Sequence, residues 1–402
     1  MRTSTANISN ASIGTLLSRQ REVSDAQVQL TSGKRILRAS DDPAGAAHAE
    51  RALASATRVD ASQRGVQSSQ VLMTQSEGAL RDAGELLQRA RELMVAAGNA
   101  VHSDKERLSS ANELRSIREQ LLVVANRSDG GRGYLFGGQG SSNPPFLDTT
   151  SGVQFRGTAG QSVAADGERL PLSVDGQDVW MQTRSGNGVF ETRANVSNAG
   201  DAWIDVGGVT NPSQITASIY SVNFSGAPGA LTYSILKDNL PTAQTNQPFT
   251  PSMGGTPIEI DGMTATIKGP PVAGDQFEFR PSTPTVSVFD AMDQAVADLS
   301  QPNLKASTRA QLNGDSLSNI DAALSRLIGA RSAVGNVLNQ IDNTGTRLEA
   351  QKFQAVSERS NAEDLDMVSA ISAFQNKQSG YDAALKSYAM VQKLSLFNYV
   401  NA

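Results

Sequence analysis

Few residues in this sequence have the types and spacing that catalysis or metal binding requires. The chain has no cysteine, which excludes thiolate ligands, a cysteine nucleophile and a disulfide framework. Its two histidines, His48 and His102, stand far apart, and neither lies in an H-E-x-x-H pattern. No G-x-S-x-G sequence marks a serine nucleophile. We therefore predict no catalytic residue, no metal site and no cofactor.

Asp41 and Asp42 are the one adjacent carboxylate pair that we considered for acid–base chemistry. They stand directly before Pro43, an order that is typical of a helix start. Aspartate accepts hydrogen bonds from the free N–H groups of the first turn, and proline at the first helical position gives up no hydrogen bond. We therefore predict that Asp41, Asp42 and Pro43 cap a helix.

The glycine-rich stretch 130–140, GGRGYLFGGQG, raises the possibility of a phosphate-binding loop. It lacks the glycine spacing of a dinucleotide-binding loop and the Gly-Lys-Ser/Thr ending of a P-loop. We interpret it as a tight turn that Tyr134, Leu135 and Phe136 anchor in a core.

The regular patterns of the chain lie at its two ends. Near the start, residues at 13, 16, 20, 23, 27 and 30 alternate steps of three and four, and the same rhythm runs from 371 to 395. This spacing predicts one seam on each of two amphipathic helices, as in a coiled coil, with glutamine at several seam positions. We predict an assembly interface formed by Ile13, Leu16, Val23, Leu30, Ile371, Phe374, Tyr381, Leu385, Tyr388, Leu394 and Phe397.

Further helices must lie between these seams. About the first dozen residues are polar and are expected to be disordered when free, and Gly33 is expected to end the first helix as its C′ residue. Residues 33–40 are predicted to be a linker into a helix that runs to about 97. Capping-box spacings at Ser103–Glu106 and Ser360–Glu363 predict two further helix starts.

The centre of the chain has the composition of β structure. Gly and Pro are concentrated there, and Asp261-Gly262 separates two short apolar runs, as in a hairpin. Further predicted strands include residues 170–174 and 215–224, and Asp166-Gly167 and Asp175-Gly176 are predicted turns. We predict a mainly α fold with a β-rich insert, in which paired terminal helices flank a central β domain. The predicted domains are 1–35 with 362–402 (terminal coiled coil), 36–149 with 286–361 (helical bundle) and 150–285 (inserted β domain).

Charge and hydropathy narrow the possible partners. The net charge is −5 and only 19% of residues are charged, so nothing favours nucleic acid as a partner. No run of 18 apolar residues predicts membrane insertion, and the N-terminus lacks the apolar segment of a Sec-type signal. Each terminal helix is near the length at which an isolated helix is marginal in water, so its burial on assembly would complete its folding.

Residues at both ends resemble the bacterial flagellin family. The matching segments are Thr31–Ile36 (TSGKRI), Ser40–Gly45 (SDDPAG) and Leu394–Leu396 (LSL), together with the terminal heptads. The resemblance covers roughly 1–140 and 286–402. The segments Met1–Thr5, Gly133–Gly138 and Lys393–Tyr399 are more similar to family members at the hook–filament junction than to filament flagellin.

The resemblance implies a structural role outside the cell. It implies export through the flagellar type III channel, and an extracellular ring of copies between hook-associated protein 1 and flagellin. It also implies an export chaperone that holds the C-terminal helix. Filament flagellin is the close alternative. An enzyme or adhesin carried by the β insert is the alternative of another class, and residues 150–285 contain no histidine, the usual zinc ligand.

Overall fold

The chain forms two compact units. The computed structural model describes residues 5–99, 101–131, 133–164, 169–227 and 229–400, without the side chains of 5–9 and 391–400. The first unit, here called the end unit, consists of residues 1–64 and 344–402. The second, here called the body unit, consists of residues 65–343.

Helices dominate both flanks of the sequence. They are α1 (Thr5–Ser32), α2 (Pro43–Ala97), α3 (Asp104–Ala125), α4 (Val288–Ser300), α5 (Ala306–Glu363) and α6 (Met367–Val400). In the described part of the chain, no helix is both long and apolar enough to cross a membrane. Long terminal helices flank a centre of antiparallel strands, so the predicted fold class is confirmed.

The first helix starts earlier than the sequence predicts. α1 begins at Thr5, whereas about a dozen residues were expected to precede it without regular structure. The expectation was wrong because it rested on polarity alone. The segment contains no proline and no glycine before Gly14, so its backbone can continue a helix that α6 packs against.

The start of the last helix also differs from the prediction. α5 continues through Ser360 to Glu363, so the predicted capping box at Ser360 is wrong. The Ser360 hydroxyl instead donates a hydrogen bond to Asp364. Asp366 caps α6, because its carboxylate accepts from the N–H groups of Val368 (3.0 Å) and Ser369 (3.3 Å).

In the body unit, the helical core follows the predicted spacing. Leu80, Leu87 and Met94, seven residues apart on α2, are fully buried, as are Leu114 and Leu121 of α3. The capping box at Ser103 is confirmed: the Ser103 hydroxyl accepts from the Glu106 N–H, and the Glu106 carboxylate accepts from the Ser103 N–H at 2.7 Å. The apolar spacing therefore marks the buried faces of α2 and α3, and the capping box marks where α3 begins.

An aromatic cluster fixes the glycine-rich turn in the body unit. Leu135 and Phe136 are buried, which confirms the anchoring role predicted for them, while Tyr134 is half-buried. The Phe136 ring packs edge-on against Trp180, with 5.5 Å between centroids, and Trp180 stacks on Phe289 of α4. The turn therefore has a packing role.

In the described part of the chain, the strands form three antiparallel sheets. A small hairpin of β1 (Phe146–Thr149) and β2 (Gly152–Phe155) precedes the main β domain, residues 190–281. The strands of that domain are β3 (Phe190–Ala194), β4 (Trp203–Ile204), β5 (Gly208–Val209), β6 (Tyr220–Ala227), β7 (Ala230–Lys237), β8 (Leu240–Pro241), β9 (Gln247–Pro248), β10 (Thr256–Ile260), β11 (Met263–Lys268) and β12 (Gln276–Pro281). One sheet has the order β3-β12-β6-β7-β8, with β9 also paired to β7, and the other has β10-β11-β4, with β5 on β11. Their inner faces share one apolar core.

The hairpin at Asp261-Gly262 is confirmed, and other local predictions are not. Ile260 pairs with Met263, and the two loop residues have φ of +39° and +76°, the left-handed region that such turns need. Residues 170–174 form only an isolated bridge at Pro171, and β6 begins at Tyr220 instead of 215. Asp175 accepts from the Gln177 N–H and opens a helical turn. Asp166-Gly167 lies outside the described residues.

Candidate assembly interface

The predicted seam residues lie where α1 and α6 pack against each other in the end unit. Those that are half-buried are Leu16, Val23, Leu30, Phe374, Tyr381 and Tyr388. Ile13, Ile371 and Leu385 keep 39%, 45% and 40% of their surface exposed. The side chains of Leu394 and Phe397 lie outside the described residues. The pair therefore covers its own seam incompletely.

Two small residues also allow the helices to approach, and the heptad pattern did not single them out. Among the described side chains of α1, only Ala26 is fully buried, at 5% exposure. A Cβ on Gly380 of α6 would lie 3.0 Å from the Arg19 guanidinium. In contrast, the seam glutamines Gln20, Gln27 and Gln378 are exposed. Small residues, rather than buried amides, shape this contact.

Apolar residues other than the predicted seam residues are also exposed on the two helices. Leu17 and Val28 of α1 are 49% and 47% exposed, and Val368 and Met390 of α6 are 81% and 61% exposed. Exposed apolar residues on both helices of the pair are a candidate contact surface for another molecule. The heptad spacing did not select these four residues. We call Leu17, Val28, Val368 and Met390 the outer apolar residues.

Two short segments beside the helix pair are hydrogen-bonded to each other. The Arg35 N–H donates to the Glu363 carbonyl at 2.7 Å, and the Leu365 N–H donates to the Gly33 carbonyl at 2.9 Å. Lys34 and Glu363 add an ion pair at 3.1 Å. We call residues 33–36 and 362–366 the clasp. The predicted linker is thus tied to the chain that leads into α6.

Local geometry explains the residues at the start of the clasp. Gly33 has φ of +69°, and its N–H donates to the Gln29 carbonyl. This is the usual end of an α-helix at a glycine with left-handed backbone angles. Asp41 accepts from the N–H groups of Leu37 and Arg38. The Asp41 carboxylate therefore stabilises the backbone of the turn before α2.

Asp42 caps α2, whose first residue is Pro43. The Asp42 carboxylate accepts from the Gly45 N–H at 2.9 Å and from the Arg35 guanidinium at 3.1 Å. The hydrogen bond from Gly45, and then the one from Arg35, hold the pKa of Asp42 below its ordinary value. This carboxylate is ionised and engaged at neutral pH, which suits a cap and not a general acid.

Among the described residues, no group of three or more His, Asp or Glu side chains is arranged to hold a metal ion. His48 lies 3.2 Å from the guanidinium of Arg51, the next turn of its own helix. The chemistry that the described termini offer is therefore apolar contact and backbone pairing.

Comparison with known families assigns both ends of the chain. Residues 3–141 match the bacterial flagellin N-terminal helical region, and residues 317–400 match the bacterial flagellin C-terminal helical region. Residues 193–281, which nearly coincide with the β domain, match the D2-like domain of flagellar hook-associated protein 1.

Individual relatives agree with these matches. Flagellar hook-associated protein 3 of Salmonella typhimurium is 32% identical over 161 residues, 38% of this chain, and the match spans about half (48%) of that relative's length. The crystal structure of flagellar hook associated protein-3 from Legionella pneumophila is 25% identical, with a TM-score of 0.71 over 77% of this chain and 97% of that one. That of the flagellar junction protein FlgL from the same organism is 27% identical, with a TM-score of 0.64 over 70% and 94%. The N- and C-terminal matches together cover more than half of the sequence, and the chain belongs to the bacterial flagellin family, as its terminal motifs predict.

Proposed function

We propose that this chain is a structural protein of the bacterial flagellum and forms the junction between hook and filament. The names of its relatives, flagellar hook-associated protein 3 and flagellar junction protein, support this position. The observation that carries the proposal is the α1–α6 pair, whose seam is half-covered and whose outer apolar residues are exposed.

Assembly would complete the burial that the single chain leaves unfinished. Burying an exposed leucine, valine or methionine contributes roughly 1.5–3 kcal/mol. Four outer apolar residues and the exposed seam residues Ile13, Ile371 and Leu385 therefore offer a neighbour enough apolar surface to offset the ordering of two marginal helices. The assembly interface is the set of terminal seam residues predicted above, extended by the outer apolar residues.

The partners follow from this position. They are copies of the chain in a ring, hook-associated protein 1 on the hook side and flagellin on the filament side. The likeness of residues 193–281 to a domain of hook-associated protein 1 supports a neighbour of related shape. Before assembly, an export chaperone would cover α6 and the type III channel would carry the chain to an extracellular site.

We retain the three-part domain division as part of this proposal. Residues 1–35 with 362–402 form the assembly domain, 36–149 with 286–361 the helical bundle, and 150–285 the surface insert. The clasp lies at the first of these boundaries, and its backbone hydrogen bonds support placing a joint there.

Serine substitutions on α6 test the assembly surface directly. Val368→Ser with Met390→Ser should leave the Tm of the purified monomer nearly unchanged, because both side chains are already exposed. The same double variant should fail to enter flagella in cells, as measured by immunolabelling of isolated appendages.

The matched control is Leu240→Ser in the β domain, where the leucine is 70% exposed. It removes a similar apolar surface from a part of the chain with no proposed assembly role, so incorporation should continue. Normal incorporation of the α6 double variant would contradict the proposal.

Filament flagellin is the second candidate, because both terminal matches are to flagellin regions. Copy number separates the two functions. A junction protein is present in one short ring per appendage, whereas a filament protein is present in thousands. Quantitative mass spectrometry of purified appendages gives the ratio, and thousands of copies would favour filament flagellin.

A further inference from the structure

The β domain joins the helical part of the body unit through two chain segments. Residues 183–189 lead into β3, and residues 282–287 lead from β12 to α4. Thr183 and Val286 exchange backbone hydrogen bonds of 2.9 and 3.2 Å, and the Ser185 N–H donates to the Thr283 carbonyl at 3.1 Å. This two-stranded connection resembles a hinge between the β domain and the helices. Other contacts must therefore hold the rest of the β domain in place.

Three polar contacts from α5 and the turn before it hold the β domain and the segment that leads into it against the helices. Lys305 donates to the Ala199 carbonyl at 3.1 Å, and Ser318 donates to the Gly186 carbonyl at 2.8 Å. Between them, the Gln311 side-chain oxygen accepts from the Ile204 N–H of β4 at 2.9 Å. We call these three bonds the docking contacts.

Cavities lie beside the docking contacts. One of about 440 Å³ is bordered by Thr192 and Arg193 of β3, Asp298 of α4, and Gln311 and Asp315 of α5. Another of about 830 Å³ also borders Gly186 and Ser318. A polar cavity admits water and adds little apolar burial, so the balance between docked and undocked positions depends on a few polar groups.

Two carboxyl groups, those of Asp298 and Asp315, border the smaller cavity. Asp298 is only 5% exposed and accepts from Gln294 and from the buried Ser316 hydroxyl, both at 2.7 Å. Asp315 is half-buried and accepts one bond, from the Gln311 side-chain amide at 2.9 Å. With two donors against one, the charged form of Asp298 is better stabilised by hydrogen bonds than that of Asp315.

The surroundings of Asp315 favour its neutral form. Burial raises the pKa of Asp315 to about 7, against the hydrogen bond from Gln311, and the Asp298 charge raises it further. Among the β3 side chains that face it, Arg193 lowers the pKa and Glu191 raises it. Burial also raises the pKa of Asp298, against its bonds from Ser316 and Gln294.

We propose that docking of the β domain on α5 takes up a proton at Asp315, so that the joint is closed when this carboxyl is neutral and loosens when it ionises. The neutral carboxyl keeps its carbonyl oxygen as acceptor for Gln311, and Gln311 keeps its own oxygen for Ile204. The ionised carboxyl leaves a charge beside Asp298 in the cavity, and separation of the β domain hydrates it.

The direction of the pH dependence follows from linkage. The docked pKa of about 7 lies above the ordinary carboxyl value of 3.8, so the docked form binds more protons between these two values. Docking is therefore strongest below pH 4, weakens as the pH rises toward 7, and changes little above that. Each unit by which docking raises the pKa corresponds to a roughly tenfold change in the docking equilibrium.

Single-molecule energy transfer in the full chain tests the proposal, because the absence of native cysteine permits clean labelling. Ser109→Cys on α3 and Ser252→Cys in the β domain, both exposed, carry pH-insensitive dyes. The ratio of docked to undocked molecules should fall about tenfold or more between pH 5 and pH 8. A distribution that does not change with pH would overturn the proposal.

Three further variants identify the group responsible. Asp315→Asn, which is always neutral, should stay docked across this range. Glu349→Gln makes the same charge change at an exposed position of α5 and should keep the response of the unchanged chain. Gln311→Ala leaves the Ile204 N–H without its acceptor and should be loose at both pH values.

A direct titration covers the case in which the Asp315→Asn variant folds poorly. Carbon-detected NMR of the unsubstituted chain gives the pKa of the Asp315 carboxyl. A value near 7 supports the proposal, and a value below 5 overturns it.

Discussion

At the residue scale, backbone conformation and the space around a glycine decide whether another residue can replace it. Gly138, in the glycine-rich turn, has φ of +70°, and a Cβ there would overlap the Thr158 carbonyl group. Both facts make glycine obligatory at this position. Gly78, in the middle of α2, has helical geometry and open space where a Cβ would lie.

The two glycines therefore give a paired prediction. Gly138→Ala should lower the free energy of unfolding by about 1–3 kcal/mol, since the strain has no flexible neighbour to absorb it. Gly78→Ala should raise the free energy of unfolding by about 0.5–1 kcal/mol, because alanine favours the helix. Urea denaturation of both variants beside the unsubstituted chain measures the effects, and equal shifts of one sign would contradict the geometry.

At the element scale, the clasp joins segments that are far apart in the sequence. Arg35 connects three places at once, since its guanidinium donates to the Ala362 carbonyl at 2.7 Å and to Asp42 at 3.1 Å, while its N–H donates to Glu363. These bonds join the end of α1, the start of α2 and the segment before α6. The paired terminal helices are thus tied to their own connecting segments.

Arg35→Ala should loosen this joint without unfolding the chain. The loss of exposed, charge-assisted hydrogen bonds costs roughly 1 kcal/mol, which corresponds to about fivefold faster amide hydrogen exchange. The increase should appear in the clasp and in the first turns of α6, as mapped by mass spectrometry. Arg21→Ala is the control, because the Arg21 guanidinium contacts only the Leu17 carbonyl of its own helix among the bonds described. Equal exchange in the two variants would rule out a special role for the clasp.

At the scale of the whole molecule, the body unit has its own apolar core and the ends depend on each other. The helical core of the body unit and the core of the β domain lie within residues 65–343. α1 packs mainly against α6, a partner that lies more than 300 residues further along the chain. Loss of one terminal helix should therefore affect the other and leave the body unit intact.

Deletion of residues 365–402 tests this division. The shortened chain should keep the main thermal transition within a few degrees of that of the full chain, while residues 5–32 become open to protease. It should also be absent from flagella. Limited proteolysis and calorimetry give the first two results and immunolabelling the third. Normal flagella from this deletion would refute assembly through the terminal helices.

The sequence by itself determined the features that depend on near neighbours. Spacing of three and four gave the helices, Asp42-Pro43 and Ser103–Glu106 gave helix starts, and Asp261-Gly262 gave a hairpin, because caps and two-residue turns are closed by residues a few positions apart. The flagellin-like terminal motifs also sufficed to assign the family. At Ser360 the capping-box spacing did not mark a helix start, because α5 continues through this residue to Glu363.

Only the tertiary structure decided the features that join distant parts of the chain. The clasp pairs residues 33–36 with 362–366, and the exposure of Leu17 and Val368 depends on how α6 lies along α1. The environment of Asp315 depends on α4 and β3 as well as on its own helix. A carboxyl group in a sequence has an ordinary pKa until burial and neighbouring charge change it, and both are set by contacts that no local pattern encodes.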